Sequence, residues 1–159
     1  MLVGPDRAGG GADAAPALLE LPEVAVVGAG NLGMVWFPRE PRRLAGDEVR
    51  ARWPALLPGL VANPAVGVVV ERGPRGEVRA HGQGGSRDLL TGEVVGADPL
   101  ASFGSRAAAG LVRVAGLEDA GDLVLVSSVD EVGMVHAFEG LVGSHGGLGG
   151  AQNQAVLLH

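Results

Sequence analysis

The residue with the most chemistry to offer is a histidine in an unusual loop. Gly143-Ser144-His145-Gly146-Gly147-Leu148-Gly149-Gly150 places four glycines within the five positions after His145. Glycines let a backbone bend sharply and come close to a ligand, and a neutral imidazole is the commonest side-chain metal ligand. His145 is therefore a candidate metal ligand. The alternative is a flexible loop with an exposed histidine, since no spaced partner such as H-x-x-x-H accompanies it. Asp122, Asp130, Glu131 and Glu139 lie upstream, and isolated acids are more often solvated surface groups than ligands.

A second glycine pattern points to different chemistry. Gly28, Gly30 and Gly33 spell G-x-G-x-x-G directly after an apolar run, the arrangement that binds dinucleotides when a helix starts at the third glycine and its N-terminus holds the pyrophosphate. Here Met34-Val35-Trp36-Phe37-Pro38 follows. That run is β-branched and aromatic, and the proline stops it within a turn of where the helix should begin. Asp47 and Glu48 fall near the spacing of a ribose-binding acid, but in what reads as a helix start rather than a strand end. The pattern argues against NAD or FAD binding, and a Rossmann domain is the least favoured reading.

Elements that could position His145 follow from the periodicity. Glu23-Val24-Ala25-Val26-Val27 reads as a strand, Gly28-Ala29-Gly30-Asn31 as a turn, and Met34-Val35-Trp36-Phe37 as a second extended run. Asp47 is a candidate cap for a helical region in which Val49, Trp53, Leu56, Leu57, Leu60 and Val61 recur at helical spacing. Pro54 lacks the N–H that a helix interior needs, so two short helices are expected. Val66-Gly67-Val68-Val69-Val70 has the pattern of a buried strand. Glu77 to His81 is its expected partner across a turn at Gly73-Pro74-Arg75-Gly76. Asp98-Pro99 opens a helical turn, Ser105 is a candidate cap for a helix over 105–114, and Leu123-Val124-Leu125-Val126 is a third apolar strand. Residues 1–20 are rich in Gly, Ala and Pro and read as a loose lead-in. Alternating strands and helices with short hairpins predict an α/β layered architecture with a mixed sheet.

Composition narrows the functional classes. The 159 residues carry a net charge of −6, and all 12 basic residues are arginine. An acidic chain without basic clusters argues against nucleic acid as a main partner. The absence of cysteine excludes disulfides, thiolate chemistry and cysteine-ligated zinc. Apolar residues make up 47% of the chain, enough for a globular core in a chain of one-domain length. No apolar run approaches the roughly 20 residues of a membrane helix, and the first twenty residues lack the pattern of a signal peptide, so the chain as given is expected to be soluble.

The segment Ala137-Phe138-Glu139-Gly140-Leu141-Val142-Gly143-Ser144-His145-Gly146-Gly147-Leu148-Gly149-Gly150-Ala151-Gln152 resembles the closing signature of a bacterial, actinobacterial-type family. That family is the type I phosphodiesterase or nucleotide pyrophosphatase-like branch of the alkaline phosphatase superfamily, whose members read "AFEELVGSHGGLGGPQT". Earlier segments agree in order. Gly30-Asn31-Leu32-Gly33 resembles "GNLGL", Asn63-Pro64-Ala65-Val66-Gly67-Val68-Val69-Val70 resembles "HPGVGFVLV", Gly96-Ala97-Asp98-Pro99-Leu100-Ala101-Ser102-Phe103-Gly104 resembles "GEDPLAPFG", and Asp122-Leu123-Val124-Leu125-Val126-Ser127-Ser128 resembles "DIMVNS". The likeness spans about residues 23–158. It departs at Ser127-Ser128-Val129-Asp130, where relatives read Asn-Ser-x-Tyr-Asp, and at Gln152-Asn153, where Gln-Thr is usual.

The resemblance implies that residues 21–159 are the C-terminal part of an alkaline phosphatase-like domain with an α/β/α layered fold. Such enzymes use two metal ions, usually zinc, to clamp a phosphate ester and activate a serine or threonine nucleophile. By position, His145 corresponds to the family's late histidine ligand. No residue here matches the nucleophile or the other ligands, which belong to the N-terminal half. The implied partners are a phosphate-ester substrate and that missing half. Full-length relatives often carry membrane helices. The expected function is the C-terminal portion of a metal-dependent phosphodiesterase, inactive alone. The alternative is a non-enzymatic remnant or binding module of the same fold.

Overall fold

A computed structural model describes residues 21–130, 132–140 and 145–150. The lead-in 1–20, Glu131, residues 141–144 of the glycine loop and the segment 151–159 lie outside the described residues.

Among the described residues seven strands form one sheet in the order β1-β2-β7-β3-β4-β5-β6, and every pairing is antiparallel. The strands are β1 (Ala25–Ala29), β2 (Leu32–Trp36), β3 (Val66–Arg72), β4 (Val78–Gly82), β5 (Gly85–Asp88), β6 (Val94–Gly96) and β7 (Leu123–Ser127). The helices are α1 (Gly46–Arg52), α2 (Leu56–Ala62) and α3 (Ala107–Ala115). The chain is thus α/β, but in place of the expected mixed sheet the described strands are all antiparallel. Its connections explain the difference. The helical crossover through α1 and α2 joins β2 to β3, which do run the same way, yet β7 is inserted between them and pairs antiparallel with both.

Helices cover both faces. Val68, Val70, Val78, Ala80, Val124 and Val126 point to one side and pack on Ala107, Leu111 and Ala115 of α3. Val35, Val66, Val69, Leu123 and Leu125 point to the other and pack with Val49 of α1 and Leu57 of α2. Central β7 alternates between the two cores and is buried along its whole length, so its sequence is an unbroken apolar run rather than an alternating one. Each valine buried here contributes about 1.5–3 kcal/mol. Gly67 is the extra residue of a bulge in β3, opposite the step from Val126 to Ser127. The bulge places Val66 and Val68 in different cores despite their even spacing.

Pro54 separates α1 from α2, as expected, and Trp53 between them stacks on Phe37 with ring centroids 4.1 Å apart. Asp47 does not cap α1. The N-cap is Ala45, and Glu48 reaches back to accept the Ala45 N–H at 2.9 Å. Alanine has no side-chain acceptor to reciprocate, so only half of a capping box exists. Ser105 does not cap α3 either, because the helix starts two residues later with Arg106 as its N-cap. Strands β5 and β6 were not expected. Their sequences, Gly-Ser-Arg-Asp and Val-Val-Gly, are too short or too polar for a periodic signal, and backbone pairing to β4 extends the sheet through them. Among the described residues no helix is long and apolar enough to cross a membrane.

Candidate metal site

One end of the sheet collects the motifs that the sequence singles out. The β1–β2 turn, the last residue of β7 and the first of β3 meet there. Gly30 and Asn31 form the turn, with Gly30 at φ 61. The Asn31 N–H donates to the His145 carbonyl at 2.8 Å, and the Phe138 N–H donates to the Gly30 carbonyl at 2.8 Å. The segment that carries the histidine is therefore fastened to this turn by its backbone.

The glycine triplet has a structural use unrelated to nucleotides. A Cβ on Gly28 would lie 2.8 Å from the Phe138 Cβ, and one on Gly33 would lie 3.2 Å from the Phe138 ring. A Cβ on Gly30 would overlap the backbone of His145. All three glycines form a bare floor against which Phe138 and the backbone of His145 lie. A strand, β2, begins at Leu32, so there is no helix N-terminus at Gly33 to hold a pyrophosphate.

The later glycines serve the same end of the molecule. Gly149 and Gly150 pass against the carbonyls of Phe103 and Ser102, so closely that neither position has room for a side chain. Between them and His145, Leu148 packs into the core under α3. Asp98 shapes the neighbouring turn. One of its oxygens accepts the Leu100 N–H at 2.9 Å and the other accepts from Arg87 at 2.8 Å.

His145 is exposed, with its carbonyl engaged and its position set by glycines. A neutral imidazole presented this way can donate one nitrogen lone pair to a metal. Among the described residues, however, no group of three or more His, Cys, Asp or Glu side chains could hold an ion. A catalytic zinc takes about three protein ligands, so His145 fits as one donor and these residues do not complete a site. Of the acids upstream, Asp122 and Asp130 are engaged elsewhere, and Glu131 lies outside the described residues. Asp130 is exposed and caps its own turn, accepting the N–H groups of Val132 and Met134. Glu139 is half-buried. Asp122, which its type suggests is a surface acid, is buried at the opposite end of the sheet, where it accepts the N–H groups of Phe37 and Leu44.

Sequence reasoning also missed a buried polar cluster on the α1 side of the sheet. Glu71 on β3 is only 5% exposed. It accepts a hydrogen bond from Arg50 of α1 and shares one with His81 Nε2 at 2.9 Å. Burial pushes its pKa up, but the bonds to His81 and Arg50 outweigh that, so the carboxyl lies below its ordinary value. Gly46 is needed because Glu71 fills the space a Cβ would take. A glutamate within the apolar β3 run was the available signal, since a buried charge must find partners.

Comparison with protein-family models, with curated proteins and with solved structures gives no significant match.

Proposed function

We propose that this chain is the C-terminal portion of a metal-dependent phosphodiesterase- or phosphatase-like hydrolase of the alkaline phosphatase superfamily, and that His145 is one ligand of its divalent metal, zinc. The observation that carries the proposal is the presentation of His145. Its backbone is fastened to the β1–β2 turn by the Asn31 bond, the bare Gly30 leaves room for that backbone to pass, and its imidazole is exposed. The resemblance of the surrounding segment to the family signature supports the same assignment, and helices on both sheet faces agree with a layered fold of that kind.

In this reading the metal supplies Lewis-acid stabilisation of a phosphate ester. This chain's part is to hold one imidazole at a fixed point on the sheet end. The nucleophile and remaining ligands come from a separate N-terminal half. The test is hydrolysis of a chromogenic phosphodiester with added zinc. The chain alone is expected to be no faster than zinc in buffer. Addition of the N-terminal half restores turnover, and His145→Ala abolishes it. Turnover by the 159-residue chain alone, or full activity of the reconstituted enzyme without His145, would overturn the proposal.

A further inference from the structure

A cavity of about 190 Å³ lies at the other end of the sheet from His145, lined by Arg42, Arg43, Leu44, Ala45, Arg72 and the Gly73-Pro74 turn. Among the described residues no carboxylate lines it, in a chain of net charge −6. Arg42 is already neutralised by a two-pronged pair with Glu48, at 2.9 and 2.6 Å. Arg43 and Arg72 are not neutralised in this way.

Arg43 is half-buried. Its Nη1 donates to the carbonyl of Ala115 at 2.7 Å, at the C-terminal end of α3. Its Nε is buried and has no hydrogen-bond partner among the described residues. Arg87 also has a buried, unpaired Nε, but its Nη1 meets the Asp98 carboxylate, whereas Arg43 forms no ion pair with any described residue. The half-buried Arg72 forms no side-chain hydrogen bond or ion pair among the described residues either.

Burial first, and then the charge of Arg72, pull the Arg43 pKa below its ordinary value, while Asp122 pulls the other way. Asp122 relieves the repulsion only from a distance, because its two oxygens are taken by the N–H groups of Phe37 and Leu44. Glu40, Glu118, Asp119 and Asp122 border a neighbouring cavity that Arg43 also lines, but the cavity shared with Arg72 has two like charges on its wall, and an anion between them would offset their repulsion.

We infer that Arg43 and Arg72, with Arg42 at the rim, form a binding site for a dianionic phosphoryl group. Guanidinium forks match a tetrahedral oxyanion by paired N–H···O bonds, and the cavity is large enough for one phosphate, whose neighbour in volume is a few water molecules of about 30 Å³ each. The ligand is either free orthophosphate or a small phosphate monoester. The site is independent of His145 and of the metal reading.

Isothermal calorimetry on the whole chain tests it, with orthophosphate and glycerol phosphate as separate probes. A chelator is present throughout, so that a metal at His145 cannot contribute, and sodium chloride matches the ionic strength. Saturable one-to-one binding beyond the chloride control is expected, and the tighter probe identifies the source of the phosphoryl group. Arg72→Gln removes one charged fork without breaking a side-chain hydrogen bond or ion pair to any described residue and should weaken binding about tenfold or more. Arg43→Gln should weaken it too, although this variant also loses the α3 contact. Absence of saturable binding in the wild type, or an Arg72→Gln dissociation constant within about twofold of wild type, would overturn the site.

Discussion

The carbonyl of His145 and the backbone N–H of Asn31 are joined at 2.8 Å, and Gly30 between β1 and β2 is bare where the histidine's backbone passes. Three features often read separately, a turn glycine, a glycine-rich loop and a lone histidine, are one contact. That contact sets the position of the imidazole without using its ring.

Gly30→Ala should therefore loosen the loop. The position has φ 61, and its Cβ would overlap the backbone of His145. A left-handed conformation alone costs an alanine about 1–2 kcal/mol, and the collision adds to it. Urea denaturation should show a loss of about 2 kcal/mol or more. Amide exchange should quicken at Asn31 and Phe138. A stability equal to wild type would mean that the segment does not rest on this glycine.

His145→Ala makes the opposite case. The ring is exposed, and surface substitutions of this kind usually change stability by less than about 0.5 kcal/mol. The midpoint of urea denaturation should be unchanged. A clear loss would show that the imidazole is held by packing and is not free to meet a metal.

Glu71→Gln should destabilise the fold by about 2 kcal/mol near neutral pH, because a buried charged acceptor between Arg50 and His81 is weakened. The acid dependence has a definite sign. Glu71 has a folded pKa below its unfolded value. Its contribution is therefore fully present above the ordinary carboxylate range, about 4.3, and is lost as pH falls through the folded pKa. Thermal melts between neutral and acid pH should show the gap between wild type and variant narrowing on the acid side. A gap that stays constant or widens would contradict the assignment.

Asp122→Ala should be more damaging than any surface change. It strands the N–H groups of Phe37 and Leu44, residues only 3% and 2% exposed. Each buried orphan costs about 1–3 kcal/mol, so a loss of about 3 kcal/mol is expected by chemical denaturation. A loss below about 1 kcal/mol would mean that water reaches both groups.

Much of this architecture is readable from local pattern. The apolar runs at 66–70 and 123–126 are strands because β-branched residues buried on both faces leave no polar alternation. The break at Pro54 and the turn at Gly30 follow from the missing N–H of proline and the freedom of glycine, which act within one turn of chain. His145 stands out in the sequence for the same reason, since its glycine context is local.

Tertiary structure decided the rest. Whether β2 and β3 are neighbours depends on β7, which arrives from the far end of the chain and turns an expected mixed sheet into an antiparallel one. Asp122 carries the same carboxylate as any surface acid, and only the approach of Phe37 and Leu44 makes it a buried acceptor. Arg43 and Arg72 are far apart in sequence and share a cavity because the end of β3 lies beside the loop before α1. Backbone preferences act over a few residues, so the elements are written locally. Charge pairing, burial and sheet order depend on which distant segments meet, and no local pattern specifies that.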